Sequence, residues 1–207
     1  MVIALDGHSS SGKSTIAKQI AGLLGYIFVD SGAMYRAVTL YLLDNNIPID
    51  NEELVSDSGM RTMLNDVDVE AEIRTMRVSD QVSPVAAISG VRSYLVRQQR
   101  AMAGQQGIVM DGRDIGTVVF PDANVKIFVT ASIKVRTVRR YNELRAKGIS
   151  IDISDVQKNL EERDHIDSTR EDSPLQQAQD AVLLDTSDLD PSQQLQKTLE
   201  IIIKGNS

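Results

Sequence analysis

The 207-residue sequence has no cysteine, no long apolar run, and fewer basic than acidic residues. Without cysteine, the chain has no disulfide framework, no cysteine-based zinc site and no thiol nucleophile. No run approaches the ~18 apolar residues that a membrane span requires. The first residues also lack the basic start of a signal peptide. With 22 Lys and Arg against 29 Asp and Glu, the net charge of −7 disfavours non-specific nucleic-acid binding. We therefore expect a soluble, cytoplasmic protein.

Short apolar runs alternate with longer amphipathic stretches, a pattern typical of βα units around a mainly parallel sheet. The predicted strands are Val2 to Leu5, Tyr26 to Val29, Ile108 to Met110, Val125 to Val129 and Ala181 to Leu184. The predicted helices include Ala33 to Leu43, one capped by Ser132, one capped by Ser154 that runs through Arg163, one with Pro84 in its first turn, and one opened by Pro191. The sequence thus predicts an α/β fold of about five parallel strands in one domain, because no repeat or linker interrupts it.

The segment GHSSSGKS, from Gly7 to Ser14, matches the phosphate-loop motif G-x-x-x-x-G-K-[ST] at every fixed position. Its glycines let backbone N–H groups turn around phosphate oxygens, and the following helix presents its positive end to the same anion. In such a loop the Lys13 ammonium neutralises the β- and γ-phosphates and the Ser14 hydroxyl ligates Mg²⁺. The residues expected to bind ATP are Gly7, His8, Ser9, Ser10, Ser11, Gly12, Lys13, Ser14 and Thr15.

Two polar residues near the expected phosphate site have open roles. We interpret His8 as part of the loop backbone path rather than as a catalyst, because phosphoryl transfer depends on positioning and charge more than on a base. Asp111 directly follows an apolar strand, where a carboxylate can organise Mg²⁺ directly or through water. An aspartate before Gly112 is equally suited to forming a turn, and both roles stay open.

The rest of the chain indicates a small kinase rather than a guanine-nucleotide switch. The base-reading motifs N-K-x-D and T-K-x-D of such switches are absent from the sequence. Single arginines stand instead beside predicted turns and strand ends, where a fork of guanidinium donors suits a phosphate. These are Arg36, Arg92, Arg113, Arg163 and Arg170.

Three segments resemble signature segments of the bacterial cytidylate kinases, enzymes that use ATP to phosphorylate CMP and dCMP. They are DSGAMYR from Asp30 to Arg36, DGRDIGTVV from Asp111 to Val119, and RDHIDSTR from Arg163 to Arg170 followed by Ser173-Pro174-Leu175. The resemblance covers nearly the whole chain. It implies the nucleoside monophosphate kinase fold, with a core of about 1–30, 106–147 and 176–207, a monophosphate-binding lobe of about 31–105, and a lid of about 148–175.

The resemblance also implies the roles of individual residues. Lys13, Arg113 and Arg170 are the catalytic candidates, and Ser14 with Asp111 is the Mg²⁺ candidate. The CMP-binding candidates are Ser31, Tyr35, Arg36, Ser83, Arg92, Arg113, Asp114, Arg163, Asp167 and Arg170. Ser83, Arg92 and Asp114 match positions that read the base, and a hydroxyl, a guanidinium and a carboxylate complement the acceptors and the amino group of cytosine.

Several expectations depart from the resemblance or stay undecided. The segment before residue 64, Ser56 to Met63, looks about a dozen residues shorter than in many relatives, which have a longer insert there. His8 stands where proline is frequent, and any of Arg136, Arg139 or Arg140 could contact ATP. The region Glu161 to Asp172 reads as an exposed charged helix end for Asp164 and Glu171, although not for its arginines.

The favoured hypothesis is an ATP:CMP phosphotransferase that uses Mg²⁺, acts as a monomer, and binds neither nucleic acid nor membranes. The nearest alternative is a kinase for another small molecule such as UMP or AMP. A nucleotide-binding regulator without an acceptor substrate is a second class of protein. A nucleic-acid-binding module is a third, and the net acidic composition opposes it.

Overall fold

The computed structural model describes residues 1–49, 68–104 and 106–205. The strands are β1 (Val2–Gly7), β2 (Ile27–Asp30), β3 (Ile108–Gly112), β4 (Val125–Thr130) and β5 (Val182–Asp185). They pair in parallel in the order β2-β3-β1-β4-β5, with Leu5 of β1 beside Asp111 on one side and Ile127 on the other. All carboxyl ends therefore lie at one edge of the sheet, where the polar loops that follow the strands meet.

The helices are α1 (Lys13–Leu24), α2 (Ser31–Asp44), α3 (Met76–Ala87), α4 (Ser89–Ala101), α5 (Ile133–Ala146), α6 (Ile153–Thr169) and α7 (Pro191–Gly205). A 3₁₀ turn spans Glu72–Arg74, and a π-helical segment spans Ile115–Val119. The Ser132 hydroxyl accepts a hydrogen bond from the Val135 amide at 3.4 Å, which confirms the predicted cap of α5. Among the described residues, none of these helices is both long and apolar enough to cross a membrane.

The three central strands of the sheet, β3, β1 and β4, are buried on both faces, which explains why they read as apolar runs. Ile3 and Leu5 of β1 pack with Ile16 and Ile20 of α1 in a cluster that also includes α7. Ala4 points to the opposite face, whose cluster includes residues of α4 and the π-helical segment. The alternation of side chains along a strand therefore distributes one short apolar run between two layers of helices.

Two smaller clusters build the parts of the molecule that lie over the polar edge of the sheet. One joins α2, α3 and α4 through buried residues that include Tyr35, Leu42, Val85 and Leu95. The other joins α5 and α6 through Leu144, Val156 and Leu160. These clusters hold the helices that carry the predicted substrate residues.

The five predicted strands are confirmed, but the prediction for Pro84 was wrong. Pro84 lies inside α3 near its end rather than in a first turn. An interior proline costs about 3 kcal/mol, whereas each fully buried valine contributes about 1.5 kcal/mol or more. Val78, Val82 and Val85 recur at helical spacing and are all buried, so their packing outweighs the lost backbone bond.

The predicted limits of α6 were also wrong. The helix begins at Ile153 after Asp152, so Ser154 lies inside it and does not cap it. It continues to Thr169 instead of ending near Arg163, because Arg163 and Asp167 are one turn apart on its buried face. The shortened insert expected near 56–66 lies outside the described residues.

Candidate active site

A polar cleft of about 330 Å³ opens at the carboxyl edge of the sheet. Its lining contains most of the predicted site residues: Ser9, Ser10, Gly12, Lys13, Ser14, Thr15, Ser31, Tyr35, Arg36, Ser83, Arg92, Asp111, Arg113, Asp114, Arg163, Asp167 and Arg170. They come from the phosphate loop, from five helices (α1, α2, α3, α4 and α6), and from the end of β3 and the segment after it. The fold therefore brings together residues that the sequence places far apart.

The phosphate loop follows β1 directly and takes a path that requires glycine. Gly7 has a φ of 146°, and a Cβ at this position would lie 1.9 Å from the carbonyl oxygen of Val129. Gly12 has a φ of 95° immediately before α1. Side chains are strained in this region of φ, and β4 leaves no space for one at residue 7. The loop thus rests against the sheet with its backbone close to β4.

Lys13 and Ser14 begin α1 and lie where the motif predicted them. The Lys13 ammonium is buried and donates to the His8 carbonyl oxygen at 3.0 Å, across the mouth of the loop. Burial, with a smaller contribution from the Arg113 charge, lowers the pKa of Lys13 to about 7. The Ser14 hydroxyl donates to Oδ2 of Asp111 at 2.5 Å. Burial and the nearby Asp30 charge raise the pKa of Asp111 to about 6.

Three residues of the loop are not part of the cleft lining: Gly7, His8 and Ser11. The His8 ring packs edge-on against Phe128, with 5.9 Å between the ring centroids. The Ser11 carbonyl oxygen accepts hydrogen bonds from Thr186 Oγ1 at 2.9 Å and from Arg139 Nη1 at 3.2 Å. These residues hold the loop in shape from the side of the sheet.

The three residues matched to base reading lie together in a buried part of the cleft. Arg92 and Asp114 form an ion pair in which both side chains are almost fully buried. Arg92 also donates to the Ala86 carbonyl oxygen at 3.2 Å, and its guanidinium carbon lies 5.6 Å from the centroid of the Tyr35 ring. Burial raises the pKa of the Asp114 carboxyl, and the Arg92 charge opposes this shift. Ser83 lines the same pocket and is buried.

Arg36 and Arg113 bring two half-buried guanidinium groups to the middle of the cleft. Arg36 donates from Nη1 to the Ile73 carbonyl oxygen at 3.0 Å and to Ser79 Oγ at 3.1 Å. Arg113 donates from Nε to Asp167 at 2.8 Å and from Nη2 to the Ser9 hydroxyl at 2.7 Å. Arg113 therefore connects the phosphate loop directly to α6.

The end of α6 supplies three further predicted residues. Asp167 and Arg163 are buried on one face, and burial is the main cause that lowers the pKa of Arg163 to about 10. Arg170 donates from Nε and Nη2 to the Ser173 carbonyl oxygen at 2.9 and 2.7 Å. In the described part of the chain, Nε of Arg163 has no hydrogen-bond partner although it is buried. It is available to an acceptor on a ligand.

The interpretation of Asp164 as a solvated charge was wrong. Its carboxylate pairs with Arg136 Nη1 at 2.6 Å, and only 18% of its side chain is exposed. Arg136 also donates to the carbonyl oxygens of Ala131 and Ser9, at 2.9 and 3.4 Å. Because the α5–α6 contact turns this face of α6 toward the loop, Asp164 meets a cation there. Glu171 is exposed, as expected.

The three candidate ATP arginines of α5 occupy different places. Arg136 supports the Ser9 carbonyl oxygen from behind, and Arg139 bonds Ser11 and Thr186 outside the cleft. Arg140 lines the cleft, pairs with Glu143 at 2.9 Å, and donates to Ser79 at 3.3 Å. Among these three, Arg140 faces the space in front of the phosphate loop.

Two aspartates that support the site, Asp6 and Asp30, have no role predicted from the sequence. Asp6 accepts hydrogen bonds from the Ile115 and Gly116 amides at 2.8 and 2.7 Å, and burial raises its pKa to about 6. Asp30 pairs with Arg74 at 3.1 Å at the wall of the cleft. A charged residue at the end of an apolar strand was the available signal for both aspartates.

Known proteins resemble this chain over nearly its whole length. The profile of the cytidylate kinase family matches residues 3–204. The cytidylate kinase of Bacteroides fragilis is 52% identical, with 94% of this chain and 93% of that protein covered. The cytidylate kinase of Parabacteroides distasonis is also 52% identical, with 97% and 95% covered.

Solved structures support the fold at much lower identity. A gluconokinase from Sinorhizobium meliloti superposes with a TM-score of 0.53 at 15% identity, and the match covers 98% of this chain and 91% of that one. This similarity concerns the phosphate-loop kinase fold alone. The family profile and the curated relatives, which span nearly the whole chain, carry the assignment further. The chain belongs to the cytidylate kinase family.

Proposed function

We propose that the cleft transfers the γ-phosphoryl group of ATP to CMP, and to dCMP, giving CDP or dCDP and ADP. The observation that carries this proposal is the buried Arg92–Asp114 pair, which shares one cleft with the phosphate loop. A phosphate loop alone suits many donors and acceptors. A buried guanidinium and carboxylate beside it suit an acceptor whose polar edge has both acceptors and a donor.

The donor ATP is held by the phosphate loop, Lys13 and Arg140. Loop amides and the start of α1 surround the phosphates, and the Lys13 ammonium accompanies the β- and γ-phosphates. Arg140, which lines the cleft in front of the loop, contacts the phosphate chain of ATP. The Lys13 ammonium becomes fully charged when the phosphates arrive, because nearby negative charge favours the protonated form.

The residues around Ser14 fit a Mg²⁺ ion. Oδ1 of Asp111 is buried and has no hydrogen-bond partner among the described residues, and Ser14 Oγ bonds the other carboxylate oxygen. Hydroxyl and carboxylate oxygens are ligands that Mg²⁺ prefers, with water completing its coordination. Bound there with ATP, the ion would neutralise charge that develops on the phosphate oxygens.

The acceptor CMP is held by side chains from separate elements. Arg36, Arg113 and Arg170 bind its phosphate, as forks of donors suited to phosphate oxygens. Arg163 and Asp167 contact the sugar, Ser31 belongs to the segment that binds the monophosphate, and the buried Tyr35 packs beneath the base pocket. Asp114 accepts the amino group of cytosine, while Arg92 and Ser83 donate to its acceptors. Uracil presents an acceptor in place of the amino group and meets the carboxylate unfavourably.

In the reaction, an oxygen of the CMP phosphate attacks the γ-phosphorus in line. A new P–O bond forms as the bond to the oxygen bridging the β- and γ-phosphates breaks, and ADP leaves. Arginines around the transferred group stabilise the charge on its equatorial oxygens. No covalent intermediate with the chain is required.

We also propose the larger organisation that goes with this reaction. The core comprises 1–30, 106–147 and 176–207, the monophosphate-binding lobe 31–105, and the lid 148–175. Closure of the lid excludes water that would otherwise accept the phosphoryl group. The chain acts as a cytoplasmic monomer on small substrates, without nucleic acid or membrane partners.

A substrate panel tests the proposed function. CMP, dCMP, UMP and AMP are each supplied with ATP and Mg²⁺, and ADP release is followed. We expect CMP and dCMP to be phosphorylated at least about 100-fold more efficiently than UMP or AMP, because a hydrogen-bonding pocket rejects mismatched analogues strongly. A preference for AMP, or equal rates with CMP and UMP, would contradict the proposal.

A further inference from the structure

Ser79 is a fully buried residue of α3 that no motif in the sequence marks. Its Oγ lies 3.1 Å from Nη1 of Arg36 and 3.3 Å from Nη2 of Arg140. Both guanidinium groups donate, so the hydroxyl accepts two hydrogen bonds with its two lone pairs. One neutral oxygen thus connects an arginine of the acceptor side to an arginine of the donor side.

The two arginines would otherwise repel each other across the cleft. Burial, followed by the charges of Arg163 and Arg140, lowers the pKa of Arg36 to about 9. A carboxylate between the two cations would compete with the substrate phosphates, whereas a hydroxyl offers acceptors without negative charge. The hydroxyl therefore fixes the spacing of the two guanidinium groups and leaves their charge available to phosphate.

The surroundings of Ser79 fix its own position. Its amide donates to the Thr75 carbonyl oxygen at 3.0 Å, in the first turn of α3. The next residue, Asp80, accepts a hydrogen bond from Asn159 of α6 at 2.8 Å. One turn of α3 thus contacts Arg36 on α2, Arg140 on α5, and α6.

We propose that Ser79 is a positioning residue whose hydroxyl sets the spacing between Arg36 and Arg140, so that the acceptor and donor phosphates meet in line. Ser79 contacts neither substrate and acts through the two arginines. The inference rests on the proposed function, because it takes Arg36 as a ligand of the CMP phosphate and Arg140 as a ligand of ATP.

The first test compares the kinetics of Ser79→Ala with those of the unchanged chain. We expect kcat/KM for CMP to fall about tenfold, mostly through kcat, because misplaced reacting groups slow the chemical step. Thr198→Val is the matched control. It removes another fully buried helix hydroxyl, which donates only to the Gln194 carbonyl oxygen at 2.7 Å in α7. We expect its kcat/KM to stay within about twofold.

The second test separates positioning from a general effect on folding. In a double-mutant cycle, Ser79→Ala is introduced into Arg140→Ala, and the loss in kcat/KM is compared with its loss in the unchanged chain. We expect the loss to shrink to less than about a third, because one of the two tethered groups is already gone. Equal losses in both backgrounds, or unchanged kinetics of Ser79→Ala, would overturn the proposal. If the unchanged chain shows no CMP-dependent ADP release, the proposed function fails first.

Discussion

The donor and acceptor sides of the cleft are built in different ways. The donor side is mainly backbone that rests on the sheet, where Gly7 touches β4 and the Ser11 carbonyl oxygen is held by Thr186 and Arg139. The acceptor side is made of long side chains from separate helices, of which Arg36 and Arg170 are examples. The difference follows from what each side must recognise. A phosphate chain needs many similar donors, whereas a base needs particular groups in a particular order.

The largest effect is expected where the backbone of the donor side has no room to move. In Gly7→Ala, the new Cβ would overlap the Val129 carbonyl oxygen, so that the loop or β4 must shift. Misplaced loop amides lose both positioning and charge stabilisation, and we expect kcat/KM for ATP to fall about 10³-fold. Steady-state kinetics and ATP binding by calorimetry measure this.

A second glycine provides the control for Gly7→Ala. Gly22 lies inside α1, and a Cβ there meets no atom within 4 Å. Gly22→Ala is expected to raise the free energy of unfolding by about 0.5–1 kcal/mol without changing activity, because alanine loses less backbone entropy in a helix. Normal ATP binding by Gly7→Ala would show that side-chain groups, and not the fixed loop, carry donor recognition.

A smaller effect is expected on the acceptor side, where we propose that Asp114 recognises the amino group of cytosine. Asp114→Asn replaces a carboxylate oxygen with an amide donor beside the cytosine amino group. We expect the ratio of kcat/KM for CMP to that for UMP to fall about 10–100-fold, the cost of losing a hydrogen bond to a charged group. The ratio is the proper measurement, because the unpaired buried Arg92 also lowers the stability of the variant.

The control for Asp114→Asn is a neighbouring carboxylate. Asp172 lies 4.0 Å from Arg92 Nε, and 39% of its side chain is exposed. Asp172→Asn is expected to leave the ratio of CMP to UMP unchanged within about twofold, because this partly exposed carboxylate lies beyond hydrogen-bond distance of Arg92. An unchanged ratio in Asp114→Asn itself would assign base selection to other residues.

Local sequence pattern alone locates the donor side, whereas the acceptor side is located only through the family resemblance, for the same reason that the two sides differ. The phosphate loop is a contiguous motif between a strand and a helix, so Lys13 and Ser14 are located by local pattern alone. Asp164 and Ser79 acquire their partners only through the angle at which α6 and α3 pack against other helices. Helix packing depends on side chains along the whole contact, and no short pattern encodes it.

Pro84 illustrates the same limit within the fold. Local chemistry favours proline at a helix start, yet the buried valines of α3 extend the helix upstream of it. The three central strands were predictable because burial on both faces leaves apolar runs. The order of the strands and the direction in which α6 faces the loop depend on contacts between distant segments.

The smallest expected effect concerns Lys13, the buried cation at the phosphate loop on the donor side. With a pKa of about 7, down from 10.5, the Lys13 amine of the empty cleft is mostly neutral at pH 8. ATP favours the charged form, so its binding at pH 8 should take up about 0.9 proton. Calorimetry without Mg²⁺ in buffers of different ionisation enthalpy measures the number.

The lowered pKa of Lys13 determines how the affinity for ATP changes with pH. Between pH 7 and 10.5 the Lys13 amine of the empty cleft is mostly neutral, and it must take up a proton when ATP binds. ATP binding must therefore weaken as pH rises through this window. Burial lowers the pKa of His8 below 6.5, so His8 is neutral at pH 8, and His8→Gln should leave the proton uptake intact. Binding without uptake would mean that Lys13 is already charged in the empty cleft. Both the charge and the backbone of the donor side would then be in place before ATP binds. The donor side would in this way differ more from the acceptor side.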